Sequence, residues 1–184
     1  TEPFRHFTGQ LNGNVPCPGI SGLTCVADLY YDTNYGLETS DVDTVIAQGG
    51  AGVQYAMGTS VYGVKLAKDR WKVGGQEFRR IGGGSVDWVS ALTEELSSYV
   101  LLTAQRYRHP GDQSALDADY RAITGNLRYG TKDRWESAYT VQATFSRESN
   151  LGGDPALDNQ TILTRIAWDA KPADGWEAGI AWLF

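Results

Sequence analysis

Apolar and polar residues alternate along most of this chain with a period of two. The pattern is clearest from Trp176 to Phe184, where every second residue is apolar and the residues between them are mixed. Successive side chains of a β-strand point to opposite sides of a sheet, so this period predicts a strand with one aromatic-rich apolar face. The pattern places that final strand at residues 175–184.

With this last one, eight or nine segments of the chain alternate in the same way, separated by tight turns and by longer polar stretches. A helix over residues 89–102 is the competing interpretation, but β-branched and aromatic neighbours on both sides favour strand. Residues 4–12 form a first strand or an extended lead-in. Longer polar connections are expected at residues 33–43, 69–77, 108–119 and 148–159. The chain is thus predicted to be an all-β, antiparallel up-and-down fold.

Length and charge exclude several function classes. A chain of 184 residues with a formal net charge of −6 and no run of basic residues does not suit nucleic acid, which requires a basic surface. No apolar run has the length of a membrane-spanning helix. A hydrophobic content of 41% fits a soluble protein, and it also fits a transmembrane barrel, whose apolar positions come at every second residue.

Two cysteines lie close together in a segment rich in Pro and Gly. A disulfide between Cys17 and Cys25 would indicate an oxidising compartment such as the periplasm or the cell surface. The alternative is a pair of free thiols in a cytosolic loop. We treat residues 1–184 as a single barrel domain, of which residues 1–22 are a lead-in with a possible disulfide loop.

Alternation alone does not tell whether the apolar face points inward, as in a soluble sheet, or outward to lipid. Aromatic residues concentrate near strand ends, and the polar phase is rich in Thr, Gln and Asn but poor in Lys and Glu, which favours lipid outside. The outward phase then supplies an aromatic girdle: Trp135, Tyr139, Phe145, Trp168, Trp176, Trp182 and Phe184. The inward phase supplies charges that plug the lumen or select solutes: Lys65, Arg128, Arg165, Asp169 and Glu177.

The order of strand, short turn with Trp, strand and long Asp/Asn-rich loop resembles a known class of outer-membrane barrel. The matching stretches are residues 31–34 and the two hairpins from Arg121 to Phe184. They resemble the C-terminal barrels of outer-membrane porins that carry tetratricopeptide repeats, of the surface lipoprotein assembly modifier type. The resemblance implies a transmembrane barrel of about 8–10 strands in a bacterial outer membrane. Its partners would be the lipid bilayer and other outer-membrane or export components.

Loop lengths leave two arrangements open. Outer-membrane barrels carry long loops outside and short turns in the periplasm. With a periplasmic C-terminus, the connection before the last strand should be external, yet residues 171–174 are short and the long loops lie at the opposite rim. Either this barrel is inverted in loop length, or the chain is a piece of a larger barrel.

Catalysis, metals and cofactors are not expected. The two histidines, His6 and His109, lie in lead-in or loop segments and outside any recognisable catalytic motif. The leading hypothesis is a non-enzymatic outer-membrane barrel that is porin-like or associated with export. The alternatives are a soluble secreted or periplasmic β-barrel that binds a small apolar ligand, and a structural subunit of a surface assembly.

Overall fold

The computed structural model describes residues 4–36, 43–131, 136–173 and 176–184. These residues form one sheet of ten antiparallel strands, in which each strand pairs with the next along the chain. The strands are β1 (Phe4–Pro16), β2 (Leu23–Gly36), β3 (Thr44–Met57), β4 (Ser60–Val73), β5 (Gln76–Ala91), β6 (Leu96–Arg108), β7 (Ala118–Gly130), β8 (Ala138–Asn150), β9 (Asn159–Ala173) and β10 (Trp176–Leu183). Two short 3-10 helices, Gly111–Leu116 and Pro155–Leu157, complete the fold. The all-β up-and-down prediction is confirmed.

The sheet is open, which differs from the closed barrel that the sequence predicts. Strand β1 pairs with β2 and β10 pairs with β9, and these two strands form the edges of the sheet. A barrel requires hydrogen bonds between its first and last strands, and the described residues make none. Up-and-down pairing is a local property, whereas closure depends on strand tilt and stagger summed over all ten strands, which periodicity does not encode.

The sheet is a single layer. Within the described residues, each strand contacts its sequence neighbours, and no helix or second sheet covers either face. No large side chain there is fully buried. Soluble domains bury their apolar faces between two packed layers. This sheet therefore leaves both faces without a partner inside the described part of the chain.

Several strands extend further than the local sequence predicts. The polar segment 69–77 is a hairpin, because β4 runs to Val73 and β5 begins at Gln76. Its two turn residues, Gly74 and Gly75, have positive φ angles of 57° and 75°, which is the geometry of a type I′ hairpin turn. Strand β2 likewise continues to Gly36 through a segment expected to be a turn. In both places ladder pairing with the neighbouring strands outweighs polar composition.

The glycine run 82–84 lies inside β5. Glycines within a strand often mark a β-bulge, but the register of these three with β4 and β6 is regular, and the irregularity of β5 lies opposite Trp71 and Lys72. Residues 89–102 form the end of β5, a turn and the start of β6, so the strand interpretation of that segment is confirmed.

The two ends of the sheet differ in their connections. One end, here called the loop rim, carries residues 109–117 and 151–158, each with a 3-10 helix. The other end, the turn rim, carries the β1–β2 connection, Gly58-Thr59 and residues 92–95. The C-terminus of β10 lies at the loop-rim end of the strand order. The loop rim also carries the two-residue turn Gly74-Gly75. The unequal loop lengths noted in the sequence are therefore present only in part.

A disulfide joins Cys17 and Cys25, whose Cα atoms are 5.2 Å apart, as the sequence suggested. It closes the β1–β2 connection at the turn rim. Residues 4–16, expected to be a first strand or a lead-in, form the complete strand β1. The bridge therefore ties an edge strand to its only neighbour.

We expect that replacing both cysteines by serine weakens this edge. A bridge with a sequence separation of 8 residues restricts the unfolded chain, so its loss should lower the free energy of unfolding by about 2–3 kcal/mol. Urea unfolding followed by tryptophan fluorescence measures the change. A reducing agent should reproduce it in the wild-type chain and leave the serine variant unaffected; equal effects on both would contradict the prediction.

Candidate functional site

One face of the sheet, here called the apolar face, carries exposed apolar side chains on every strand from β1 to β10. A continuous row crosses seven strands in register, with exposed fractions between 38% and 72%: Val53, Val64, Val86, Leu102, Ile123, Phe145 and Ile162. Soluble monomers seldom expose apolar patches of this extent, and such patches mark contacts with protein or membrane.

The described part of the predicted aromatic girdle lies on this apolar face. Tyr139, Trp182 and Phe184 are exposed there, and Trp168 pairs across the strands with Tyr139 and Ile180. Phe145 belongs to the central row and not to a margin of the face. Trp135 and the side chain of Trp176 lie outside what the structure describes. Tyr55 and Tyr62 form a further cross-strand pair toward the turn rim.

The opposite face, here called the polar face, is the more shielded one. Along β3 to β9 its residues are mostly half-buried although no other element covers them, whereas residues of the apolar face are exposed. Soluble half-exposed sheets show the reverse, with apolar residues shielded and polar residues in water. We infer that the sheet curves toward its polar face, which brings those side chains close to one another.

Lys65, one of the predicted lumen residues, lies on the polar face and forms an ion pair with Asp28. The pair links β4 to β2 across the intervening strand β3. Gly50 of β3 makes this possible, because a Cβ atom there would lie 3.0 Å from Asp28 Oδ1 and 3.1 Å from Lys65 Nζ. Asp28 was not among the predicted site residues, although it occupies the polar phase of its strand.

Three other predicted lumen residues converge near the turn rim. Arg128, Asp169 and Glu177 line one cleft of about 420 Å³ together with Glu136 and Lys171. Arg165 is not part of this cleft; it lies opposite Gln142 on β8 and Leu183 on β10. The five predicted charges therefore occupy three separate positions in the described sheet.

A further cluster on the polar face was missed by the sequence analysis. The guanidinium of Arg79 lies over Trp71, with its carbon 4.1 Å from the ring centroid, and within 5.1 Å of the Tyr107 centroid. Tyr107 in turn stacks on Tyr120 at 5.7 Å. Such cation–π contacts fix the arginine head group without an ion pair. The glycines at 82–84 obscured the phase of β5 and hid Arg79.

The loop rim is held together by one buried carboxylate. Asp117 accepts hydrogen bonds from Arg108 Nη1 at 2.8 Å and from the backbone N–H of His109 at 2.6 Å. Its own carbonyl accepts from the backbone N–H of Leu151, which connects the two long loops. Burial alone would raise the pKa of Asp117, but the hydrogen bonds and positive charges of Arg108 and His109 bring it below its usual value.

His6 does not form a catalytic relay. His6 Nε2 lies 2.8 Å from Asp32 Oδ2 and 2.9 Å from Thr8 Oγ1. A relay requires the acid and the hydroxyl to contact different ring nitrogens, and here both contact the same one. Among the described residues, no group of His, Cys, Asp and Glu is arranged to hold a metal ion. That the chain is not an enzyme stays a prediction.

No helix within the described ranges is long and apolar enough to cross a membrane. Comparisons with protein-family models, with curated proteins and with solved structures find no match to this chain. The resemblance to tetratricopeptide-fronted outer-membrane porins therefore stays a prediction, and the two faces of the sheet carry the functional argument.

We expect Gly52→Ala to destabilise the sheet. Gly52 is half-buried on the polar face, and a Cβ atom there would lie 2.8 Å from the backbone Cα of Lys65 on β4. Because backbone atoms of a paired strand cannot move aside as a side chain can, the change should cost about 1–3 kcal/mol of unfolding free energy. Gly125→Ala is the matched control, because nothing lies within 4 Å of its added Cβ. Urea unfolding of both variants tests this, and equal losses would contradict it.

The loop rim should loosen in acid. Because the folded-state pKa of Asp117 is lowered, its stabilisation is complete above the unfolded pKa of about 4 and is lost as pH falls through the folded value. Hydrogen exchange at the His109 amide, corrected for the intrinsic rate at each pH, should show falling protection. An Asp117→Ala variant, which has no side-chain acceptor for the His109 N–H, should show weak protection at every pH; full protection in that variant would refute the role of the carboxylate.

Proposed function

We propose that this chain is a non-enzymatic outer-membrane β-barrel protein that serves as a porin-like or export-associated membrane domain. The observation that carries the proposal is the reversal of the two faces. Large apolar side chains are exposed along all ten strands, while the polar face is half-buried in the middle of the sheet. In a transmembrane barrel the apolar face contacts lipid and the polar face lines the interior.

The length of the strands supports a membrane location. They contain up to 16 residues, and a strand needs about 9–11 residues to cross the hydrocarbon layer. On β8 the apolar face runs from Tyr139 to Phe145 before the charged Arg147. That is roughly 20 Å along the strand, somewhat shorter than the apolar band of about 25 Å in outer-membrane barrels. Long Arg side chains can extend toward water and make up the difference.

Closure into a barrel is part of this proposal. Lipid offers no hydrogen bonds to a free strand edge, so spanning sheets must close. The edges at β1 and β10 would then pair with each other or with strands outside this sheet. In either case the ion pair of Lys65 and Asp28, and the Arg79 cluster, would lie in the lumen and narrow it.

The alternative of a soluble barrel with a small apolar ligand needs an enclosed aromatic face. Here Tyr55, Tyr62 and Tyr139 lie on the exposed face. A monodisperse protein that is soluble without detergent would favour that alternative. A soluble species of high mass on native sizing would favour a structural subunit of a surface assembly. Both are distinguishable from a membrane barrel by the experiment below.

The experiment is to express the chain with an export signal and to ask whether it requires detergent and shifts on a gel after heating. Leu102→Asp places a carboxylate in the centre of the apolar row, where it should cost on the order of 2 kcal/mol of insertion free energy. Flotation with vesicles should show a corresponding loss of the inserted, heat-shifted form.

The matched control is Thr103→Asp, at the next residue on the polar face, opposite Ser85. It introduces the same charge beside Lys65, and we expect insertion to be unchanged. Normal insertion of Leu102→Asp, or equal loss in both variants, would show that the assignment of the two faces is wrong.

A further inference from the structure

Basic side chains gather on one part of the apolar face, toward the loop rim. Seven exposed cations on β4 to β8 share this face, here called the basic belt: Lys68, Arg70, Arg80, Arg106, Arg108, Arg121 and Arg147. The chain as a whole carries a formal charge of −6 from 16 basic and 22 acidic residues. The belt therefore concentrates positive charge against the overall balance.

The belt directly borders the central apolar row. Arg121 on β7 and Arg147 on β8 are opposite each other in the strand register. Arg121 lies two residues from Ile123, and Arg147 lies two residues from Phe145, both members of that row. Arg70, Arg80 and Arg108 continue the belt in register across β4, β5 and β6. On these strands the next residue on the same face, two positions along the chain, is therefore cationic instead of apolar.

Acidic partners neutralise only part of the belt. Glu77 contacts Arg70 and Arg80, while Asp119 and Asp117 pair with Arg106 and Arg108. Even in these pairs the arginine side chains remain 51–54% exposed. The ion pairs of the described residues involve none of the other three cations: Lys68, Arg121 and Arg147.

A groove of about 480 Å³ lies on the apolar face beside the belt. The small residues Gly84 and Ala104 form part of its lining, between Leu66 at one side and Arg121 at the other. Val64, Val86 and Leu102 also line it. Because its lining is apolar except at Arg121, Lys65, Ser85 and Thr103, the groove is suited to a hydrocarbon chain that ends near a positive charge.

We infer that the groove and the basic belt together bind an anionic phospholipid of the surrounding leaflet. This inference rests on the proposed membrane location. The acyl chain lies over Gly84 and Ala104, and the headgroup phosphate lies against Arg121 and its neighbours. Guanidinium groups suit this role because they bind phosphate oxygens in pairs. Their stems cover apolar surface while the charged heads reach the interface.

The part of the apolar face near the turn rim does not combine apolar surface with basic side chains. Toward the turn rim its described residues include the exposed tyrosines Tyr55, Tyr62, Tyr129 and Tyr139, and none of them is Lys or Arg. Tyrosine and tryptophan favour the interface of either leaflet and do not select for charge. The preference for anionic lipid therefore belongs to the leaflet at the loop rim.

The test uses the full chain in phosphatidylcholine vesicles with increasing phosphatidylglycerol. Energy transfer from tryptophan to a fluorescent analogue of each lipid reports which lipid adjoins the protein. We expect the wild-type chain to enrich phosphatidylglycerol. Replacing Lys68, Arg121 and Arg147 together by Gln should reduce the enrichment by roughly threefold, and raised salt should have a similar effect.

Two further variants separate the parts of the site. Ala104→Phe fills the groove without changing charge and should also lower the enrichment. Arg128→Gln with Arg165→Gln removes two cations from the polar face and should leave it unchanged. Insertion without any preference for phosphatidylglycerol, or equal losses in the belt and polar-face variants, would overturn the inference and leave the proposed function standing. Failure of the wild-type chain to float with vesicles would overturn both.

Discussion

The structure depends on one constraint: within the described residues the sheet is a single layer, so no second layer of secondary structure covers either of its faces. The ladder between consecutive strands satisfies the backbone groups except at the outer edges of β1 and β10, but among the described residues no second layer removes the apolar face from water. Burying one large apolar side chain stabilises a protein by about 1.5–3 kcal/mol. A row of seven such residues left in water would lose most of that stabilisation. The sheet is therefore more stable where its apolar face is in contact with an apolar surface.

The polar face meets the same constraint by internal pairing. Lys65 reaches Asp28 across a strand that carries glycine at the crossing point, and Arg79 is held between aromatic rings. These contacts need the side chains of three neighbouring strands to approach one another, which the inferred curvature provides. Half-buried charges are costly unless they are paired. The contacts on the polar face therefore hold the side chains of neighbouring strands in fixed positions.

The sequence predicted those properties that depend on local alternation. Strands, antiparallel order, the two phases and the cysteine bridge were all accessible, because each depends on neighbouring residues. The partner of Lys65 was not, because Asp28 is separated from it by a whole strand and the pairing register decides which residues meet. The hairpin at Gly74-Gly75 had a recognisable signal, since adjacent glycines favour type I′ turns, but the surrounding polar residues resembled a loop.

The open edges and the basic belt concern the same question, which is how the sheet is oriented in its surroundings. Lipid requires the edges to pair, and the belt on β4 to β8 would then lie at one interface of the closed sheet. The belt lies at the end of the sheet that carries the long loops, joined through Asp117 and Leu151. In outer-membrane barrels long loops face outward. Within the proposed barrel, loop length therefore favours an orientation with the loop rim external, and the basic belt would then lie in the external leaflet.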